Sequence, residues 1–386
     1  MCPLFPLQVF KPDECKLLDM LFAHIADTHL GYRQFNLEER EKDFYDAFHE
    51  SVDRMIAEGV ELVIHAGDLF DEPRPSIRAL VEAKLGIEKL RKKGITVVMV
   101  PGNHDKLMRK GAMLPHAIFD GVEVLSLEHP FVVVEDVFIG GVPYISKSYR
   151  DVLLEGVLAL GKRASSFKRS VLVLHQGIDK YLPREHELFL EELPKNFNYY
   201  ALGHVHRRVE DKFGAGSICY SGSTEIWRSI EAFDWEANRR GFLLVDSGDL
   251  VPKRINLDGT RPFLNGEVSS ERDITLFAKR VKGFEKPVIN LTILGEDFNS
   301  LEEKARKELS REALFLSVKR KALIEEEVLS VRGVLDVEAM IIEMLKDIGG
   351  WQRDFGIEVY RHLSKNDVEG AIALAEDSYE KWKKEG

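Results

Sequence analysis

Residues 21–29 read LFAHIADTH: five residues fit for a buried strand, then a small residue, then Asp27 and His29 where the strand gives out. The pattern returns along the chain. LVIHAGD (62–68) ends on Asp68, TVVMVPGNHD (96–105) on Asn103, His104 and Asp105, SVLVLHQG (170–177) on His175, and YYALGHVH (199–206) on His204 and His206. VFIGGVPY (137–144) and GFLLVDSG (241–248) are further short apolar runs of the same kind. Each is too short for a helix and rich in strand-forming residues. Helical stretches over Arg40–Glu58 and Ser76–Lys93 fall between the early runs, so residues 21–249 predict an α/β domain. Such folds build their sites in the loops at the carboxyl ends of strands, where these Asp, Asn and His residues lie.

Each motif alone is modest: an Asp caps many turns, and a lone His is often a hydrogen-bonded core residue. Their convergence carries the chemistry. Imidazole nitrogen together with carboxylate oxygen suits manganese, zinc or iron better than calcium or magnesium. The candidate ligands Asp27, His29, Asp68, Asn103, His175, His204 and His206 are too many for one ion with open positions. They suit two divalent ions sharing a carboxylate, which can clamp a phosphate and activate a water.

In this order, D-x-H, G-D, G-N-H-D, H-x-G and G-H-x-H resemble the calcineurin-like metallophosphoesterase superfamily. HIADTHLGY, HAGDLFDEPRPS, GNHD, LHQG and YYALGHVHRR are similar, more narrowly, to the meiotic-recombination-eleven nucleases, called SbcD in bacteria, over about residues 20–263. The resemblance implies a two-sheet αββα sandwich followed by a small α/β cap domain and C-terminal helices. It implies that Asp27, His29 and His206 hold one metal, that Asn103, His175 and His204 hold the other, and that Asp68 bridges them. His104 would act on the phosphate as the catalytic residue, with Asp105 orienting it, and the metals would be manganese. One position departs from the family: where a histidine often stands three residues after the bridging aspartate, this chain has Asp71.

The expected organisation is an N-terminal extension over 1–19, a nuclease domain over 20–257, a DNA-binding cap over 258–325 and a helical partner-binding region over 326–386. Residues 1–19 carry Pro3, Pro6 and Pro12 without periodicity, and Met20 is a plausible alternative start. The cap reads as strand, helix, strand, helix, strand. The last region shows apolar stripes (Val337, Met340, Ile341, Met344, Leu345) at helical spacing, which by resemblance would bind the coiled-coil base of an SMC-like repair ATPase. On helix Arg40–Glu58 a stripe of Phe44, Ala47, Phe48, Val52 and Met55 fits either dimer contacts or core packing.

The formal net charge of −11 argues against coating nucleic acid by bulk electrostatics but leaves room for local basic patches. Arg74, Lys106, Arg109, Lys110, Arg207 and Arg208 flank the motifs and are candidates for gripping a strand's phosphates; solvated loop charge is the alternative. The cysteines Cys2, Cys15 and Cys219 fit neither a zinc knuckle nor a disulfide framework. GVLALGKR (156–163) ends in Arg163 where a nucleotide-binding loop needs Ser or Thr, and reads as helix. GAGSICYSGSTEIW (214–227) reads as a hairpin turn, a strand and a covering turn, with Trp227 as packing. No apolar run spans a bilayer and no secretory signal is evident, so the expected place is the cytoplasm, with the nucleoid.

The leading reading is thus a homodimeric DNA double-strand-break repair nuclease, with 3′-to-5′ exonuclease and endonuclease activity, joined to an ATPase. The alternatives are a phosphomonoesterase or protein phosphatase on the same scaffold, and a catalytically silent scaffold subunit.

Overall fold

Strands β1 (Leu21–Ile25), β2 (Leu62–His65), β3 (Thr96–Met99) and β4 (Glu123–Val124) run parallel; β11 (Gly241–Asp246) and β12 (Pro252–Asn256) extend the sheet antiparallel, in the order β12-β11-β1-β2-β3-β4. A second sheet, β5-β6-β7-β8-β10-β9, is built from Phe131–Val134, Val137–Val142, Arg169–His175, Tyr199–Gly203, Gly216–Tyr220 and Val209–Phe213 respectively. Its four central strands are parallel and its two edges antiparallel. This computed structural model describes residues 19–106, 113–234, 238–295 and 297–321, and, farther on, 342, 345, 351–364, 370–372, 374–375 and 377–379. The chain divides into two compact units, Met1–Leu323 and Ile324–Gly386.

Alternation along each strand makes the layers, since successive side chains point to opposite faces. Phe22, Ile64 and Val98 of the first sheet meet Ile139, Val171, Val173 and Cys219 of the second. Ala23, Val63 and Val97 face the other way, onto α1 (Glu38–Glu58) and α2 (Ile77–Lys92). Leu172, Tyr200 and Ile218 likewise face α3 (Arg150–Ala164). The result is the expected αββα sandwich. Burial on both faces is why these strands read as unbroken apolar runs.

Several local expectations take definite form. Ser76 caps α2, its side chain accepting from Ala79 N. GVLALGKR lies within α3, and β9 and β10 form the hairpin foreseen around Gly214. The α1 stripe is core, not a docking face: Phe44, Ala47, Phe48, Val52 and Met55 are all buried. Packing beneath the sheet takes those side chains out of reach of a second subunit, which corrects the dimer-contact reading of this helix.

The cap region is a three-stranded parallel sheet of β13 (Phe263–Val268), β14 (Val288–Leu294) and β15 (Phe315–Lys321), crossed by α4 (Glu271–Val281) and α5 (Phe298–Leu309). Both helices pack on one face through Ile274, Phe277, Leu301 and Ala305. Phe263 and Val288 are buried with Ile226 and Ala232 of the sandwich, and Phe315 stacks on Phe35 with centroids 3.9 Å apart. In the second unit a helix covers Trp351–Ser364. The stripe at Val337, Met340, Ile341 and Met344 lies outside the described residues, as do residues 1–18 of the proposed extension. No helix among the described residues is long and apolar enough to cross a membrane.

Candidate metal centre

The five motif-bearing strand ends meet at one rim of the sandwich. Their backbone is unusual: Asp27, His29, Asp68 and His204 all have positive φ (53°, 44°, 54° and 89°). Non-glycine residues rarely adopt this region, and such strain concentrates at functional sites. Two motif glycines make room for it. Gly67 has φ 97°, and a Cβ there would lie 2.3 Å from His175 Nδ1; a Cβ on Gly102 would lie 2.1 Å from Asp68 Oδ1.

Three overlapping sets of donor atoms lie within 4.8 Å of one another: Asp27, His29 and His206; Asp68, His175 and His204; and His29, Asp68 and His104. Asp68 Oδ2 stands between the first two sets, 3.1 Å from His175 Nε2 and 3.9 Å from His29 Nε2. Asn103 joins the second, its Oδ1 3.1 Å from His175 Nε2 and 3.0 Å from His204 Nδ1. All seven candidate ligands therefore converge, and His104 stands beside them.

The hydrogen bonds behind the rim decide whether a cation fits. His206 Nδ1 donates to Glu231 Oε1 at 2.8 Å, so a neutral His206 turns a lone pair on Nε2 toward His29 Nε2, 3.2 Å away. His29 has no good answer. With its proton on Nδ1, facing Asp71 Oδ1 at 3.2 Å, two lone pairs oppose each other; with the proton on Nε2, a lone pair faces the carboxylate. His175 Nδ1 donates to the Ala66 carbonyl at 2.8 Å, leaving Nε2 aimed at two oxygen acceptors. A cation on the inner nitrogens resolves every one of these conflicts, and histidines held from behind by a carboxylate or carbonyl are the usual form of metal ligands. The donor set fits divalent metal.

The electrostatics agree. Burial alone would lower the pKa of His175, but the neighbouring Asp68 carboxylate pushes it up to about 9, a proton standing where positive charge is wanted. Burial and the nearby His175 bring His204 down to about 3. Burial opposes ionisation of Asp68, yet His175, His29 and His104 hold it well below the usual carboxylate range.

His104 is placed differently from the ligands. Its side chain is 27 % exposed against 13 % for His206, its N donates to Asp68 Oδ1 at 2.8 Å, and its Nδ1 donates to the Asp71 carbonyl at 2.7 Å. Asp105 acts on the loop rather than on that ring: its carboxylate accepts from the N–H groups of Gly102 (2.9 Å), Phe70 (2.9 Å) and Leu69 (3.2 Å). It thereby ties the Asn103–His104 turn to the segment following Asp68.

Three residues have larger parts here than their sequence suggested. Trp227, read as packing, stacks on His29 (centroids 5.1 Å, 19°), presents its edge to His104 and His206, and donates from Nε1 to Asp71 Oδ1 at 2.9 Å. Asp71, noted only as a departure, touches His29, His104 and Trp227. Glu231 also accepts from Trp227 N (3.2 Å) and Arg240 Nη2 (3.2 Å), and an isolated Glu outside any motif gives no sequence signal.

The basic candidates separate. Arg74 and Arg207 are exposed and Lys106 is half-buried. Arg208 is only 7 % exposed, its guanidinium donating to Asn256 Oδ1 (2.9 Å), Ser221 O (3.3 Å) and Ile255 O (3.4 Å). It pins the loop after β8 to β12 and is not free to grip phosphate, which corrects its reading as a DNA contact. Arg109 and Lys110 lie outside the described residues.

Comparison with known proteins gives the same direction. The calcineurin-like phosphoesterase family model matches residues 20–208. The DNA double-strand break repair protein Mre11 of Methanocaldococcus jannaschii is 33% identical over 368 residues, covering 90% of this chain and 96% of that protein. The Mre11 protein of Methanococcus maripaludis is 30% identical, covering 92% and 97%. That of Saccharolobus solfataricus is 37% identical over 265 residues, covering 67% of each chain. With a divalent-metal donor set at the rim of a calcineurin-like sandwich and the two Mre11 proteins of methanogens matched along nearly their whole length, the chain belongs to the Mre11 family of DNA double-strand break repair proteins, as a metal-dependent phosphodiesterase.

Proposed function

We propose that this protein hydrolyses DNA phosphodiesters with two divalent ions, in the cell manganese, as a 3′-to-5′ exonuclease and endonuclease. The observation that carries the reading is the pair of donor sets on either side of Asp68, each with inner nitrogens that need a cation. Asp27, His29 and His206 would hold one ion, Asn103, His175 and His204 the other, with Asp68 between them. Bound ions would supply Lewis-acid charge to the phosphate and lower the pKa of water. The rest falls to the chain's own side chains. Because Nδ1 of His104 is engaged by the Asp71 carbonyl, Nε2 is the nitrogen left to carry a proton to the leaving oxygen. Exposed Arg74 and Arg207, with Lys106, would steady the flanking phosphates.

The working form would be a homodimer, in the cytoplasm with the nucleoid. Since the α1 stripe is core, the surface that supports self-association is on α2, where Ile77, Val81 and Leu85 are exposed at four-residue spacing. An SMC-like ATPase would dock on the C-terminal helices, a reading that rests on their apolar sequence stripe and the family likeness. The decisive experiment is manganese-dependent digestion of linear duplex DNA by the protein and by its Asp68→Asn variant. Cleavage by the former alone is expected. Equal cleavage by both, or hydrolysis of phosphomonoesters at a matching rate, would overturn the reading.

A further inference from the structure

The short 3-10 helix Ser229–Asp234 is fixed from two sides. Glu231 reaches inward to His206 and to the Trp227 N–H. Ala232 is buried against Phe263 and Val288 of the cap sheet, and its carbonyl accepts from Asn265 Nδ2 at 3.1 Å. In a 3-10 helix residues three apart share a face. Holding 231 and 232 inward therefore turns 230 and 233 outward together, and Ile230 and Phe233 are 76% and 87% exposed. A solitary exposed apolar side chain is ordinary. Here two share one face of a pinned helix, one and two residues from the carboxylate that holds a metal-site histidine. They line a cavity of about 290 Å³ together with Arg207, Glu231, Asn238 and Arg240. Arg207 is exposed, as is Arg228, whose guanidinium lies 4.5 Å from the Trp227 ring centroid.

We propose that Ile230 and Phe233 form an apolar wedge that receives an unpaired nucleobase of the strand entering the metal centre. The inference rests on the reading of the chain as a DNA nuclease. Charge complementarity selects this occupant over a protein surface: cations beside an aromatic face match the phosphates and base of a single strand. Every base offers a π-face, so the contact would favour frayed or single-stranded ends without reading their sequence.

The test uses the full chain in EDTA, which blocks cleavage, and measures anisotropy of a labelled single-stranded oligonucleotide and of an abasic strand of equal length. Phe233→Ala is expected to weaken binding of the base-bearing strand roughly ten-fold, the scale of one lost stacking contact. Phe233→Trp should retain it. The abasic strand should bind protein and Phe233→Ala alike, and hydrolysis of bis(p-nitrophenyl) phosphate with manganese should be unchanged in the variant. Equal losses on the two strands, or no loss, would overturn the wedge. So would a change in mass by light scattering, which would give the pair to a contact between copies of the chain. Failure of the nuclease reading would show separately, as wild-type protein that cleaves neither DNA nor the small diester whatever the binding cycle reports.

Discussion

The main-chain carbonyl of Asp71 accepts a hydrogen bond from His104 Nδ1 at 2.7 Å, while the carboxylate of the same residue faces His29 Nδ1 and takes the Trp227 indole N–H. One residue thus serves three neighbours with two different groups, and substitution separates them. Asp71→Ala keeps the carbonyl, and with it the His104 tautomer, but removes the negative charge behind His29. Loss of such support commonly costs about 10- to 100-fold in metal affinity or activity. We expect the variant to need correspondingly more manganese while recovering most of its rate at saturation. Titration of cleavage against manganese measures this. A collapsed rate at saturating metal would assign the carboxylate to His104 instead.

His104 is a part-exposed histidine at the rim, with Nε2 unclaimed by the hydrogen bonds behind it. Removing a general acid typically costs about 10²- to 10⁴-fold in rate. His104→Ala should show a loss of that size with manganese binding by calorimetry intact. His104 also lies within reach of a third donor set with His29 and Asp68. A parallel loss of metal affinity would therefore make it a ligand rather than an acid.

How much of this was legible in the sequence depends on where the information sits. The strands on both sides of the interior announced themselves because burial on two faces leaves no polar interruption, as in Ile64 and Val98 of the first sheet and Leu172 and Val173 of the second. The cap elements read in their observed order, strand, helix, strand, helix, strand, because each carries apolar residues at its own spacing for the one covered face. Edge strands were harder: β9, VEDKF, and β12, PKRIN, are mostly polar and hold their place through pairing with a neighbour. In the site, ligand types at strand ends were visible and their supports were not. Glu231 meets His206 across 25 residues, and the positive φ of Asp27 and Asp68 belongs to the folded loop. Arg208 misled because a basic residue beside a ligand looks the same whether it faces solvent or a neighbouring strand.

Cys219 offers a probe of the interior. It sits in β10 between the two sheets, fully buried, and burial pushes its thiol up to about 12. At pH 8 such a thiol is on the order of one part in ten thousand thiolate, the form that reacts. Iodoacetamide should leave Cys219 unmodified in native protein and label it once denaturant opens the sandwich, as followed by peptide mass spectrometry. Labelling of native protein at the rate of a free thiol would show that the two sheets separate locally.

The last prediction concerns Arg40, a fully buried cation where α1, the loop before Trp227 and the cap entry meet. Its guanidinium donates to Asp43 Oδ2 (2.6 Å), Gln34 Oε1 (2.8 Å), the Ile226 carbonyl (3.0 Å) and Glu225 Oε1 (3.4 Å), and lies 5.0 Å from the Phe263 ring centroid. Asp43 also accepts from Arg261 Nη2 at 2.7 Å, so one group of charges joins the sandwich to the first cap strand. Arg40→Met fills the space but strands Glu225, a carboxylate with no solvent access. Breaking a buried pair from one side costs about 3–5 kcal/mol, whereas replacing both partners with neutral groups costs much less. Arg40→Met should therefore lower the thermal unfolding midpoint by roughly 10 °C. Adding Glu225→Gln should restore a good part of the loss, because the amide has no charge to strand. If the double variant is as unstable as the sum of the two single ones, the residues act independently. The contribution of Arg40 would then be its packing between Phe44 and Phe263 rather than its charge.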